Sequence, residues 1–429
     1  MRIIFLALGC LAVVDASAEK VVVCYFGSWS VYRQGNGKFQ IEDIDPFLCT
    51  HLIYSFVGLK GDRINITDPW QDLPDSGGKN GFGRFNDLRK KNQLLKTLIA
   101  IGGANDKSVK YSIMASDWVS RERFADNVVK FVKKWGFDGF DVDWEYPGQN
   151  GGALADRENY TELLKILRSR FDKEGLILSA AVAAAEVSAS KSYNILEICK
   201  YLDFVNIMAY DLHGSWESVT GINAPLRAAS SDTAQNKKLT VEAAVKYWLE
   251  QGAPRDKLVL GMPLYGRTFT LTNSSDNGVG APALRAGNAG PYTLEPGLLG
   301  YNEICERQSQ GNWTVIYDEA YHAPYAWKGS QWVGYDDIKS IRKKAELVKE
   351  LDLRGAMVWS IETDDFTGSC GHKYPLLKTI NSVITIMKPP PSQSSGENSS
   401  SPVSCNGGFS NMHHSNLIVL LVTTFSLYQ

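Results

Sequence analysis

The chain has 429 residues, with 45 Lys and Arg against 47 Asp and Glu and a formal net charge of −2. Without a basic stripe or an acidic run, that balance argues against nucleic acid or an anionic membrane surface as an electrostatic partner. A chain of this length can bury a core that needs no staples; hydrophobic residues make up 44% and aromatics 11%, and the 11 Trp and 19 Tyr suit either a large core or a surface that stacks flat ligands.

At the start, Met1-Arg2 precedes an apolar run over 3–14 and then Ala16-Ser17-Ala18, the pattern of a secretory signal with its peptidase site. The run is too short to span a bilayer, so residues 1–18 are expected to be removed and the mature chain to begin near Glu19. Asn65-Ile-Thr, Asn159-Tyr-Thr, Asn273-Ser-Ser, Asn312-Trp-Thr and Asn398-Ser-Ser are N-glycosylation acceptors, consistent with export. Without Cys10, six cysteines remain: Cys24, Cys49, Cys199, Cys305, Cys370 and Cys405. They are too few and too widely spaced to define the fold, and no Cys-x-x-Cys pair argues for a structural zinc.

Eight short β-branched, apolar runs follow, over 20–26, 51–57, 96–102, 139–145, 176–183, 204–210, 257–265 and 355–361. Segments 117–135, 157–171 and 241–251 between them carry helical periodicity. This alternation predicts an α/β fold, a TIM (β/α)8 barrel whose active site lies at the C-terminal ends of the strands. The seventh-to-eighth gap is too long for a loop and contains strand-like pieces, which predicts an inserted α+β subdomain at about 268–335. The barrel region is set at 19–388. A Pro/Ser-rich stalk over 389–408 leads to a tail at 409–429 that ends in an apolar stretch. That tail is either a glycolipid-anchor (GPI) signal or a disordered tail with an apolar end. The anchor is preferred because the stretch is too short to span a membrane and would favour aggregation if retained. His413 and His414 then fall in a discarded spacer and form no metal site.

The chemistry concentrates in Asp138-Gly-Phe-Asp141-Val-Asp143-Trp-Glu145-Tyr-Pro-Gly148. Side chains alternate faces along a strand, so Asp141, Asp143 and Glu145 project together while Phe140, Val142 and Trp144 project oppositely. Carboxylates this close in a partly desolvated site raise one another's pKa, and one keeps a proton near neutral pH. Glu145, nearest the mouth, is the expected general acid, with Asp143 and Asp141 loading and reorienting its proton.

Asp138-x-x-Asp141-x-Asp143-x-Glu145 resembles the signature of family 18 glycoside hydrolases, the chitinase family, and the similarity runs over about 20–388. Ile101-Gly102-Gly103, Met208-Ala-Tyr210-Asp211, Gly261-Met-Pro-Leu-Tyr265-Gly-Arg267 and Trp359 resemble its other blocks. The resemblance implies an endo-acting chitinase that cuts β-1,4 bonds of N-acetylglucosamine polymers with retention. The substrate's own N-acetyl group would be the nucleophile, so no cofactor and no metal are called for. Glu145 would protonate the glycosidic oxygen, Asp143 hold the acetamide N–H, Tyr210 hold its carbonyl and Asp141 receive the alternative position of Asp143.

By the same resemblance Trp359 forms the floor under the sugar, or is core. Tyr25 and Phe56 line the pocket base or pack. Gly102, Gly103, Met208 and Tyr265 belong to the substrate-binding blocks, and Asp211, Arg267 and Glu295 resemble residues that hydrogen-bond the sugars. Trp29, Tyr32, Trp70 and Trp216 are candidates for a stacking track. The implied disulfides are Cys24 with Cys49 and Cys305 with Cys370, leaving Cys199 a buried thiol. Ala104 departs from the Trp that polymer-cutting members often carry, which removes a platform on the leaving-group side. His213 is read as a local hydrogen-bonding residue. The alternative function is a non-catalytic, lectin-like or growth-factor-like carbohydrate binder, whose known members typically lose the acid that Glu145 supplies here. The expected partner is chitin or a chito-oligosaccharide, with a membrane only through the anchor, and the chain is expected to be a monomer.

Overall fold

The computed structural model describes residues 20–384. The signal run, the stalk and tail, Asn398, Cys405, His413 and His414 lie outside these residues. Eight parallel strands, Val21–Gly27, His51–Lys60, Lys96–Gly102, Gly139–Asp143, Ile177–Ala183, Phe204–Met208, Leu258–Pro263 and Gly355–Trp359, form the barrel. Each pairs with the next, and the eighth pairs with the first to close the ring. The first strand, Val-Val-Val-Cys-Tyr-Phe-Gly, is buried throughout, as expected where one face fills the barrel and helices cover the other. The expected helices form as Trp118–Trp135, Asp156–Phe171 and Val241–Glu250. Trp118–Trp135 starts where Asp117 accepts the Ser120 N–H at 2.7 Å and stops at Gly136, whose φ of 76° suits glycine.

Strand ends differ from the sequence reading, and three of the differences bear on the site. The fourth strand stops at Asp143, the sixth at Met208 and the seventh at Pro263, so Glu145, Tyr210 and Tyr265 lie beyond the barrel ladder. Tyr265 instead opens the strand Tyr265–Leu271, on which the insertion is built. Its antiparallel sheet runs Ala283–Ala286, Tyr265–Leu271, Gln331–Gly334, Ala323–Lys328, Thr314–Asp318, with Leu298–Gly300 also paired to Tyr265–Leu271. Phe269, Leu271, Ala323 and Trp332 pack on one face, and Leu299, Ala326, Val333 and Tyr335 on the other with Ile304 of the helix Tyr301–Ser309. The alternation of a strand thus produces two small cores.

Two disulfides form. Cys24–Cys49 joins the first strand to the approach of the second, and Cys305–Cys370 ties the insertion's helix to the loop beyond the eighth strand. Cys199 is a buried free thiol. Where the chain leaves the insertion for the helix Ile338–Glu350, Lys344 donates to both carboxylate oxygens of Asp336 at 2.5 and 2.6 Å, and both side chains are fully buried. At the face where strands begin, Lys20 donates to Leu353 O at 2.6 Å, and Asn381, in the final helix Pro375–Val383, donates to Leu48 O at 2.9 Å. Both ends of the described chain therefore sit opposite the mouth.

Candidate active site

Asp141 lies in the middle of the fourth strand, fully buried, with Ser179 of the fifth strand as its register partner. The Ser179 hydroxyl donates to Oδ1 at 2.6 Å, and Tyr25 from the first strand donates to Oδ2 at 2.8 Å across the barrel. Asn206 of the sixth strand donates to the Tyr25 hydroxyl at 3.1 Å and reaches Oδ1 at 3.5 Å. Burial pushes the Asp141 carboxyl up to about 6, while the donors Ser179, Tyr25 and Asn206 restrain the rise.

Asp143 follows on the same face, where burial and then the charges of Glu145 and Asp141 hold its carboxyl well above the usual range. Its Oδ1 has no hydrogen-bond partner among the described residues, a costly position for a buried oxygen unless it serves a ligand or a proton. Glu145 stands two residues further out, past the end of the strand and half-buried. Burial raises it to about 7, opposed by a hydrogen bond from Tyr146 and reinforced by the charge of Asp211. On the opposite face Trp144 is locked away: its indole N–H donates to Ser108 at 2.9 Å and its ring stacks on Tyr111. The alternation that buries this Trp is what turns the three acids inward.

Tyr210 and Asp211 follow the sixth strand. The Tyr210 phenol is buried near Met357 Sδ at 3.8 Å, and burial, then neighbouring Tyr265, Asp143, Asp211 and Glu145, keep it protonated. Asp211 takes a left-handed φ of 55°, with its N–H on Asn223 Oδ1 at 2.9 Å. Its carboxylate accepts Tyr265 at 2.7 Å and a bidentate Arg267 fork at 2.6 and 2.7 Å. Trp216, 60% exposed, lies over the Arg267 guanidinium at 5.4 Å. Glu295, exposed, contributes charge near Arg267. One wall of the mouth thus comes from the insertion.

A second part of the mouth is aromatic. Phe56 stacks against Trp359 at 5.7 Å and 20°, Trp29 stacks against Phe56 at 6.2 Å and 18°, and Tyr25 tilts against Trp359 at 5.6 Å. Trp29 is 42% exposed and Trp359 half-buried, so this cluster presents ring surface beside the acids. Gly102 and Gly103 are buried and make the arrangement possible. A Cβ on Gly102 would sit 2.0 Å from the Asp143 carbonyl oxygen, and one on Gly103 would sit 2.5 Å from the Phe56 ring. Their φ values of 114° and 82° also suit glycine.

The structure therefore brings Tyr25, Asp141, Asp143, Glu145, Tyr210, Asp211, Tyr265, Arg267, Phe56 and Trp359 to one mouth, with buried Met208 ending the sixth strand. Tyr32 and Trp70 stack on each other further out, at 6.3 Å. His213 pairs locally with Glu217 at 3.0 Å. Asn65, Asn273 and Asn312 are exposed, and Asn159 is half-buried. Ala104 is exposed at the rim. Sequence reasoning missed Ser179, Asn206, Asn223 and Tyr146. The signal for the first two was a single polar residue inside each of two apolar strands, Ile-Leu-Ser-Ala-Ala-Val-Ala and Phe-Val-Asn-Ile-Met.

A row of buried acids, one protonated near neutral pH, beside stacked rings at the mouth of a parallel barrel is the arrangement of a carbohydrate-processing site. The model of glycosyl hydrolases family 18 matches residues 21–364, and the chain belongs to that family. It is 40% identical over 418 residues to Probable chitinase 2 of Drosophila melanogaster, covering 88% of this chain and 85% of that one. The Group IV chitinase of Ostrinia furnacalis superposes with a TM-score of 0.83 at 45% identity, covering 85% of this chain and 100% of that chain. That enzyme is also known in complex with allosamidin. Human YKL-39, a pseudo-chitinase with retained chitooligosaccharide binding properties, superposes at 0.79 with 40% identity, over 85% of this chain and 99% of that one.

Proposed function

We propose that this protein is an endo-acting chitinase that hydrolyses β-1,4 bonds of N-acetylglucosamine polymers with retention. The observation that carries the reading is the inward row of Asp141, Asp143 and Glu145, with Glu145 raised to about 7 and half-buried at the mouth. Catalytic and non-catalytic relatives are similarly close in identity, so overall identity does not separate a cutter from a binder. The carboxylates favour a cutter.

Glu145 in its neutral form donates a proton to the glycosidic oxygen, and the bond to the anomeric carbon breaks. The substrate's acetamide carbonyl closes on that carbon from the other face to give an oxazolinium. Asp143 turns toward Glu145 and accepts the acetamide N–H with the oxygen that otherwise has no partner, which concentrates the acetamide's electron density on its carbonyl. The Tyr210 hydroxyl orients that carbonyl. Glu145, now ionised, takes a proton from the water that opens the ring, and the original anomer is restored. Asp141, on a seat fixed by Ser179, Tyr25 and Asn206, is the partner that Asp143 faces in its alternative position, and together they load and reorient the proton of Glu145. Trp359, Phe56 and Trp29 stack on sugar faces, and Asp211 and Arg267 bind hydroxyl or acetamide groups.

The protein acts outside the cell as a monomer, after removal of residues 1–18. The tail at 409–429 directs a glycolipid anchor, a reading overturned if phosphatidylinositol-specific phospholipase C releases no protein and the mature chain retains Leu417 onward. The central test is hydrolysis of a chitin tetramer, with the product anomer read by NMR, beside Glu145→Gln. Release of the β-anomer by the wild type and near silence of the variant are expected. Binding of the tetramer by the wild type without cleavage would establish the carbohydrate-binding alternative instead.

A further inference from the structure

We propose that Asp68 is a positioning residue that sets how long a sugar chain the protein grips, by locking Tyr32 and Trp70 into one platform beyond the aromatic floor. The proposal rests on the reading that chito-oligosaccharides lie along the exposed rings of the mouth.

The platform is continuous with the floor. Trp29, stacked on Phe56, lies in the 3-10 helix Ser28–Tyr32, which places Tyr32 one turn further along. Thr67 donates to Phe56 O at 3.1 Å, so the segment bearing Trp70 hangs from the floor itself. Tyr32 and Trp70 are 48% and 51% exposed, yet they stack at 6.3 Å and 23°. Two half-exposed rings on separate loops lose conformational entropy when fixed, and something must hold them.

Asp68 does so with both carboxylate oxygens. Oδ1 accepts the Gln71 N–H at 3.1 Å and caps the short helix Pro69–Asp72 that carries Trp70. Oδ2 accepts the Tyr32 hydroxyl at 2.6 Å. The far end of that helix is anchored to the barrel, because Asp72 accepts the Tyr54 hydroxyl of the second strand at 2.6 Å. The outer side is held by Lys79, whose N–H donates to Trp70 O at 2.7 Å and whose ammonium lies 4.9 Å from the Trp70 ring centroid. One carboxylate therefore couples two loops, and only a chain long enough to extend past Trp29 feels it.

The test compares Asp68→Ala, Asp68→Asn and Tyr32→Phe. Binding of chitin trimer and hexamer is measured by calorimetry with Glu145→Gln present, and KM and kcat are measured in the active protein. Asp68→Ala is expected to weaken hexamer binding about tenfold while the trimer stays within about twofold, with KM for the hexamer raised and kcat unchanged. Asp68→Asn keeps the cap and a polar partner for Tyr32 and restores most of the hexamer affinity. Tyr32→Phe keeps the ring without the bond and falls between. Equal losses on trimer and hexamer, or no loss on either, overturn the proposal. If Asp68→Ala fails to fold, an unchanged hexamer-to-trimer ratio in Tyr32→Phe overturns it. A wild type that neither binds nor cuts either oligomer removes the reading of the mouth and the clamp together. A wild type that prefers the hexamer, with a variant that keeps that preference, removes the clamp alone.

Discussion

At Glu145, burial first and the nearby charge of Asp211 second lift the carboxyl to about 7 against the hydrogen bond from Tyr146, so it is half protonated near neutral pH. As the proposed general acid, Glu145 works only while protonated, so kcat/KM is expected to fall as pH rises through about 7, read from a pH–rate profile on a soluble oligomer. The same shift has a stability cost of determinate sign. Above the ordinary glutamate range the unfolded chain releases a proton that the folded chain retains, so stability falls until the pH passes about 7 and is then level. Glu145→Gln removes this dependence. It is expected to lower kcat by about 10²–10⁴, and its melting temperature should exceed that of the wild type by an amount that grows between pH 5 and 7. A constant difference across that range would contradict the account. Ser179→Ala removes a donor that restrains Asp141, so the Asp141 carboxyl rises further above about 6. The expected cost is about 1–3 kcal/mol for the oxygen left without its donor, measured by denaturant unfolding at pH 7. The three acids were legible in the sequence because strand alternation is strict. The donors that make Asp141 tolerable were not, because they come from strands distant in sequence and are neighbours only once the ring closes.

Among elements, the barrel strands and the main helices were legible because each buries a continuous or periodic apolar surface, and their limits were not. Glu145, Tyr210 and Tyr265 read as strand by composition, yet the ladder ends before each of them, as the barrel opens at its mouth. Tyr265 and Arg267 show the difference best. Sequence attached Tyr265 to the seventh barrel strand, whereas pairing places both residues on the insertion's sheet, from which they hold Asp211. The buried Lys344–Asp336 pair was invisible to a pattern reading, since a lysine in a helix of mixed charge reads as surface. Lys344→Met leaves Asp336 buried without its cation and is expected to cost about 3–5 kcal/mol, while Lys344→Met with Asp336→Leu should recover most of that loss. Urea unfolding of the three proteins checks the ordering, and a double variant no more stable than the single one would contradict it.

For the molecule as a whole, the insertion was expected from a gap in the strand count, and its location between the seventh and eighth strands puts it beside the mouth. Its covalent tie, Cys305–Cys370, closes a segment with a sequence separation of 65, and its replacement by two serines is expected to cost about 4 kcal/mol on the loop-entropy account. The loss should appear in thermal melting of the oxidised protein against the variant. The position of the two ends of the described chain has a further bearing on how the protein can be mounted. Residues 20 and 384 both lie at the face where the barrel strands begin, so a linker joined at either one leaves from the side away from the cleft. A support that holds the protein by its end therefore presents the open mouth outward, and a bead-bound form should show the same kcat/KM on a soluble oligomer as the free form. A long polymer can then approach the cleft lengthwise without having to pass the point of attachment.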